Sequence, residues 1–205
     1  MQSQMLRFGP LSNHALHIVI DMQKMFAEPG NFYCDGLQAI VPVIANIARN
    51  KIQSTVFTRF LPHQINKPPA SPWQAHYHQW LTADFGQLPP EQYDLVEPLD
   101  QLSHPDNTIN KNTYSVFESQ AFQGILDKQR PDTLIFSGVK TNYCVLACVL
   151  ASVDRDYRTL VVTDAVAGSS DQTQHAVLDT LLPRFIHQIE LVTADTLLQS
   201  WKSDS

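Results

Sequence analysis

Three reactive side chains follow short apolar runs in this sequence. Asp21 comes directly after HIVI, Lys111 directly after TIN, and Cys144 shortly after TLIFSGV. In an open parallel sheet, ligands bind beyond the carboxyl ends of the strands, near the point where strand order reverses. A carboxylate beside a thiol can accept its proton, and a nearby ammonium keeps that carboxylate ionised and favours thiolate. The placement therefore predicts a cysteine nucleophile, with Asp21 as its base and Lys111 supporting both charges.

The position of Cys144 adds to this prediction. The apolar run breaks at Gly138 and a helix is expected to begin around Asn142, which puts the thiol in the first helical turn. Unpaired N–H groups and the helix dipole stabilise a thiolate there, so we expect the nucleophile to exist near neutral pH. The backbone N–H groups of Lys140 and Cys144 could hold an oxyanion.

Each of these residues also has a structural interpretation. A free cysteine is most often a small buried apolar side chain, and a lysine at a strand end is usually solvated. Cys148, one helical turn beyond Cys144, is expected to serve packing alone. Asp164, which follows LVVT, is expected to bond loop amides or cap a helix. The joint placement of Asp21, Lys111 and Cys144 favours a catalytic role for these three residues over the structural interpretations.

Strands and helices alternate along the chain. Apolar runs that are too short for helices, and that indicate strands buried on both faces, lie at 17 to 20, 55 to 58, 134 to 137, 160 to 163 and 189 to 192. A weaker strand is expected at 107 to 110. Amphipathic segments between these runs predict helices, so the chain is expected to form a doubly wound α/β sheet.

Residues 61 to 107 differ from the rest of the chain. They are rich in proline, aromatic residues and histidine, which argues against one long helix. We expect an insertion here that folds over a strand end, within a single domain that spans residues 1 to 205.

Composition limits the functional classes. With 205 residues, 43% hydrophobic and 17% charged, and a net charge of −6 from scattered acids, the chain has a core but no basic surface for nucleic acid. We expect no membrane partner and a cytoplasmic protein, since no apolar stretch has the length of a signal sequence or a membrane span. The three cysteines lack metal-ligand spacing and fit free thiols.

Four segments together resemble the isochorismatase-like cysteine hydrolases. They read HIVIDMQKMF from residue 17, INKNTYSVF from 109, FSGVKTNYCV from 136 and VVTDAVAGSS from 161. The resemblance implies a parallel six-stranded sheet with helices on both faces, a catalytic triad of Asp21, Lys111 and Cys144, and a cis peptide at Val139 to Lys140. It also implies a homo-oligomer, a dimer or larger.

The branches of this family favour one reaction. Isochorismate hydrolases typically lack the cysteine, so Cys144 argues for cleavage of a C–N bond in a small amide, carbamoyl or ureido compound. Nicotinamidases typically bind a metal through an aspartate that corresponds to Arg59, and a cation cannot replace that ligand. We therefore expect no metal and no cofactor, with His63, His76 and His78 in an aromatic lid. A vinyl ether hydrolase and a non-catalytic binding module remain alternatives.

The substrate pocket is expected to be an aromatic wall with a few charged groups. Arg59 either clamps a substrate carboxylate by its planar guanidinium or pairs with a structural acid. The predicted substrate-binding residues are Phe26, Arg59, Phe60, Trp73, Tyr77, Phe117 and Tyr143.

Overall fold

A six-stranded sheet forms the centre of the protein. The computed structural model describes residues 6 to 61, 72, 73, 76 and 88 to 201. The strands are β1 (Ala15–Ile20), β2 (Thr55–Phe60), β3 (Thr108–Lys111), β4 (Thr133–Val139), β5 (Arg158–Ala167) and β6 (Ile189–Val192). Their order is β3-β2-β1-β4-β5-β6, and every neighbouring pair is parallel.

Helices cover both faces of this sheet. They are α1 (Lys24–Ala27), α2 (Leu37–Asn50), α3 (Gln120–Gln129), α4 (Leu146–Val153), α5 (Asp171–His175) and α6 (Ala194–Ser200). Successive residues of a strand point to opposite faces, and β1 shows this directly. Val19 packs in one core cluster with α2 and α6, while Ile18 packs in a second cluster with α3 and α4. The predicted doubly wound α/β fold is confirmed.

The order of the strands reverses between β1 and β4. From β1 the chain adds β2 and β3 on one side, then crosses to β4 and adds β5 and β6 on the other. Gly138, near the end of β4, has φ of 109°, and a Cβ atom there would collide with the backbone of Ile20 at the end of β1. Glycine is therefore needed for the two strand ends to approach each other. These ends carry Asp21 and the turn that contains Cys144.

The part of the predicted insertion that the structure describes packs over the end of β1. Leu95, Val96 and Leu99 are buried, and the N–H of Val96 donates to the carbonyl of Met22 at 2.8 Å. Most of residues 61 to 87, including Tyr77, lies outside the described residues. The single-domain organisation stays a prediction. Among the helices of the described ranges, none has both the length and the apolar character needed to cross a bilayer.

Candidate active site

Asp21, Lys111 and Cys144 meet at the carboxyl ends of the strands. The Lys111 Nζ atom lies 2.6 Å from Asp21 Oδ2 and 3.5 Å from Cys144 Sγ. Asp21 is fully buried, and Lys111 and Cys144 are 4% and 7% exposed. The lysine at the end of β3 reaches across β2 to the residue that follows β1. These three side chains were expected to lie close together because of their strand-end positions, and in the structure they do.

The Lys111 ammonium is fully occupied by acceptors. Besides Asp21 and Cys144 it donates to the backbone carbonyl of Thr113 at 3.0 Å, which accounts for its three protons. It also lies 5.2 Å from the ring centroid of Phe60, a cation–π distance. Burial is the largest influence on the pKa of Lys111 and lowers it, but the charge of Asp21, the Cys144 and Cys148 sulfurs and the hydrogen bond to Asp21 together raise the pKa above its usual value. This lysine is therefore a fixed positive charge in the site.

Thr58 holds the aspartate in place. Its hydroxyl donates to Asp21 Oδ1 at 2.6 Å and accepts a hydrogen bond from the Asp21 N–H at 3.1 Å. Asp21 itself has a left-handed backbone with φ of 50°, a conformation that aspartate tolerates better than most residues. The sequence analysis missed Thr58. The signal for it was a polar residue inside the second apolar run, on the strand beside β1.

Gln23 is a second buried side chain that the sequence analysis missed. Its Oε1 accepts from the N–H of Phe60 at 2.7 Å, and its Nε2 donates to the carbonyls of Tyr93 and Phe60 at 2.9 and 3.2 Å. The amide thus connects the segment after β1 to the end of β2 and to the segment that covers the strand ends. This fixes the backbone on which Asp21 sits.

The surroundings of Cys144 favour the thiol over the thiolate that the sequence analysis expected. Burial raises the pKa of Cys144 well above its ordinary value. The charge of Lys111 acts against this, while the charge of Asp21 and a hydrogen bond to that carboxylate raise the pKa further. These directions argue against a preformed thiolate near neutral pH in the resting site, and burial is their largest cause.

The turn that carries Cys144 is wider than an α-helical turn. Residues Thr141–Val145 form a π-helical turn that continues into α4. The peptide from Val139 to Lys140 is cis, as the resemblance implied. The hydroxyl of Thr141 is buried and has no hydrogen-bond partner among the described residues. A role of the Lys140 and Cys144 N–H groups as an oxyanion hole stays a prediction.

Aromatic side chains form one wall beside the thiol. The ring of Tyr114 lies 4.8 Å from Trp73, 5.9 Å from Tyr143 and 6.2 Å from His76, measured between centroids. Burial raises the pKa of Tyr114, negative charge on Cys144 or Tyr143 would add to that rise, and the charge of Lys111 opposes it. Trp73 and Tyr143 were predicted as substrate-binding residues, and His76 as part of an aromatic lid. Tyr114 was missed, because its place in a loop three residues after Lys111 gave no periodic signal.

Two predicted pocket residues have other partners. The Arg59 Nε donates to Asn110 Oδ1 at 3.0 Å, and its Nη1 lies 3.6 Å from Asp94 Oδ1. Of the two interpretations of Arg59, the structure therefore shows the pairing with a structural acid. Phe117 packs into the core, with its ring 5.1 Å from that of Phe122 and under the Arg155 guanidinium. It lies in the 3₁₀ turn Val116–Glu118, which buries both Val116 and Phe117.

The remaining predicted residues lie at or beside the strand ends. Phe26 is 8% exposed and has the Lys140 ammonium 5.9 Å from its ring centroid. Phe60 contacts the Lys111 ammonium, as described above. Cys148 is fully buried and accepts a hydrogen bond from the N–H of Val116 at 3.3 Å, which fits its expected packing role. Asp164 accepts from the N–H of Ala194 at the start of α6, as expected of a capping acid.

A metal site is not evident in the described part of the chain. There, no three residues among His, Cys, Asp and Glu are grouped so that they could hold an ion. His63 and His78 lie outside the described residues. The expectation of a metal-free enzyme stays a prediction.

The fold and the site define a class of protein. It is a doubly wound α/β protein with a buried thiol, carboxylate and ammonium in contact at the point where strand order reverses. A family model described as the isochorismatase domain matches residues 15–192. The chain belongs to the isochorismatase-like cysteine hydrolase family.

Relatives within this family include two amidohydrolases. The chain is 27% identical over 192 residues to nicotinamidase 3 from Arabidopsis thaliana. The aligned region covers 93% of this chain and 90% of the relative. It is also 27% identical over 180 residues to a ureidoacrylate amidohydrolase from Methylobacterium radiotolerans, covering 77% and 69%. Among solved structures, a cysteine hydrolase from Pseudomonas syringae superposes with a TM-score of 0.75 at 21% identity over 98% of both chains. That likeness supports the fold.

Proposed function

We propose that this protein is a cysteine amidohydrolase that cleaves the C–N bond of a small amide, carbamoyl or ureido compound. The observation that carries the proposal is the single ammonium of Lys111 in contact with both Asp21 and Cys144 in a buried site. The similarity to a nicotinamidase and to a ureidoacrylate amidohydrolase supports C–N bond cleavage.

The first half-reaction forms a thioester. Asp21 takes the proton of the Cys144 thiol as the sulfur attacks the carbonyl carbon, and the carbonyl electron pair moves onto oxygen. The backbone N–H groups of Lys140 and Cys144 donate to that oxyanion. When the oxyanion collapses, Asp21 returns the proton to the leaving nitrogen, the C–N bond breaks, and ammonia or an amine departs.

Water completes the cycle. Asp21 removes a proton from water as its oxygen attacks the thioester carbon, and the C–S bond breaks. The departing sulfur recovers the proton from Asp21, which restores the thiol and releases the acid. Lys111 supports both halves, because its ammonium contacts the two atoms between which the negative charge moves. It does so without gaining or losing a proton.

The raised pKa of Cys144 is compatible with this route. A neutral thiol beside an ionised carboxylate can attack without first forming a stable thiolate, because proton transfer and attack are coupled. At rest, the buried site carries the positive charge of Lys111 and the negative charge of Asp21. After the proton moves to Asp21, the negative charge lies on the sulfur or on the oxyanion. The fixed charge of Lys111 is thus compensated at every stage.

Product analysis with the wild type and two variants tests the proposal. The protein is incubated with nicotinamide, propylurea, ureidoacetate, ureidoacrylate and isochorismate, and ammonia, amine and pyruvate are measured. We expect release of ammonia or amine that Cys144→Ala abolishes and that the matched variant Cys148→Ala retains. Pyruvate release that survives Cys144→Ala would instead favour vinyl ether hydrolysis, and inertness to the whole panel would count against catalysis of either kind.

A further inference from the structure

A half-buried lysine beside the nucleophile lacks the acidic partner that other cations near the site possess. Lys140 directly precedes the turn that carries Cys144, and its ammonium lies 5.9 Å from the ring centroid of Phe26. Among the described residues, no carboxylate lies within ion-pair distance of it. By contrast, Lys111 is paired with Asp21 and Arg59 with Asp94.

The surroundings of Lys140 make this unpaired charge costly. Burial lowers the pKa of Lys140, and only an ionised Cys34 or Cys144 sulfur would oppose that shift. Lys140 leads directly into the turn that carries Cys144, and burial raises the pKa of both sulfurs, which favours their neutral thiol forms. A partly desolvated cation with neutral neighbours gains most from an anion that enters the site.

We propose that Lys140 binds a carboxylate of the substrate, so that the natural substrate is an anionic amide or ureido acid. This inference rests on the proposed function and specifies its substrate class. The scissile carbonyl faces Cys144, while the carboxylate end extends towards Lys140 and the face of Phe26. The aromatic wall of Tyr114 and Trp73 contacts the planar amide between them.

The Lys140 side chain is distinct from the backbone N–H of the same residue. The N–H is proposed to contact the oxyanion of every substrate, charged or neutral, and a side-chain substitution retains it. The ammonium would contact only a substrate that carries an anion. Loss of the side chain should therefore discriminate between substrates, whereas a general disturbance of the turn should not.

The test compares two substrates of similar size, ureidoacetate and propylurea, in the wild type, Lys140→Met and Lys140→Arg. We expect Lys140→Met to lower kcat/KM for ureidoacetate by roughly 10- to 100-fold, mainly through KM, because a hydrogen bond to a charged group is lost. The value for propylurea should change less than about threefold. Lys140→Arg should recover part of the loss. Lys128→Met removes an exposed charge on α3 and serves as the matched control.

A binding measurement separates this inference from the proposed function. Butyrate should slow the alkylation of Cys144 by iodoacetamide in the wild type, butanone should not, and Lys140→Met should remove the protection. This readout needs no turnover, so protection that depends on Lys140 supports the inference even if no ammonia is released. Equal losses on both substrates, or protection that is the same in Lys140→Met, would overturn it while leaving ammonia release by Cys144 intact.

Discussion

The Lys111 ammonium lies 2.6 Å from the Asp21 carboxylate, and both side chains are essentially inaccessible to solvent. Taking two charges out of water is expensive, and an apolar pair of similar volume often serves stability as well or better. The buried ion pair at the point where strand order reverses therefore fits the catalytic role that we propose better than a role in stability. The third member of the contact, Cys144, is the nucleophile in that proposal.

Breaking this pair on one side should cost both stability and activity. In Asp21→Asn the Lys111 charge is left buried without its partner, which should lower the free energy of unfolding by about 3 to 5 kcal/mol. Loss of the general base should reduce kcat by roughly 10²- to 10⁴-fold. Urea unfolding and ammonia release measure the two effects.

The double variant Asp21→Asn, Lys111→Met separates these effects. With both charges removed, we expect most of the lost unfolding free energy to return while kcat stays low. A double variant that is no more stable than Asp21→Asn would contradict the assignment of the cost to an unpaired lysine. Activity that returned with stability would contradict the role of Asp21.

The hydroxyl of Thr58 should matter through its position on Asp21. Thr58→Val keeps the shape but removes a donor to the carboxylate and an acceptor for the Asp21 N–H. We expect a loss of about 1 to 3 kcal/mol in unfolding free energy, because buried groups are left unsatisfied, and a fall in kcat with little change in KM. Thr58→Ser retains the hydroxyl and should keep most of the activity. Equal kcat values for the Val and Ser variants would argue against this positioning role.

Replacing Asp21 with a neutral residue should increase the rate at which Cys144 is alkylated, although it lowers the rate of turnover. The raised pKa of Cys144 predicts slow alkylation by iodoacetamide at pH 7, with the rate increasing towards alkaline pH. In Asp21→Asn the repulsive charge is gone and Lys111 is free to stabilise thiolate, so labelling at pH 7 should become faster although turnover falls. Peptide mass spectrometry resolves Cys144 from Cys34 and Cys148. Fast labelling of Cys144 in the wild type at pH 7 would contradict the raised pKa of this thiol.

His17 should make the protein less stable in acid. Burial lowers the pKa of His17 to about 3, and its ring bonds Ser137 Oγ at 2.8 Å in the middle of the sheet. In the unfolded chain the pKa is about 6.5, so below that pH the unfolded state binds a proton that the folded state excludes. The stability that His17 contributes is complete above pH 6.5 and is lost as pH falls towards 3, by about 1.4 kcal/mol for each pH unit.

Urea unfolding at pH 7.5, 5.5 and 4.5 measures this slope. The variant His17→Asn is expected to be less stable than the wild type at pH 7.5 and to lose less stability on acidification. A difference between the two proteins that stays constant over this range would rule out the linkage to His17.

Strand-end logic explains why much of the site was predictable. The residues after β1 and β4 and at the end of β3 must share one edge of a parallel sheet, so Asp21, Lys111 and Cys144 could be grouped without knowing any contact. Thr58 could not be assigned in this way. It stands out as a polar residue inside an apolar run, but neither its type nor its position tells whether it bonds a carboxylate or only packs.

The charges of the site show where sequence reasoning fails. The pairing of Arg59 depends on Asp94, which a long irregular segment brings to the end of β2. The protonation of Cys144 depends on how burial, Lys111 and Asp21 balance, and that balance is set by distances rather than by residue types. Phe117 was assigned to the pocket from its closeness to Lys111 in sequence, but a 3₁₀ turn directs it into the core.

Intact mass spectrometry after rapid acid quench tests the central claim most directly. During turnover of a small amide or ureido acid, the wild type should gain the mass of the acyl or carbamoyl group less one hydrogen, with the adduct on the peptide that contains Cys144. The adduct should be absent in Cys144→Ala and present in Cys148→Ala. Ammonia release without any adduct on Cys144, or continued release by Cys144→Ala, would contradict a thioester mechanism.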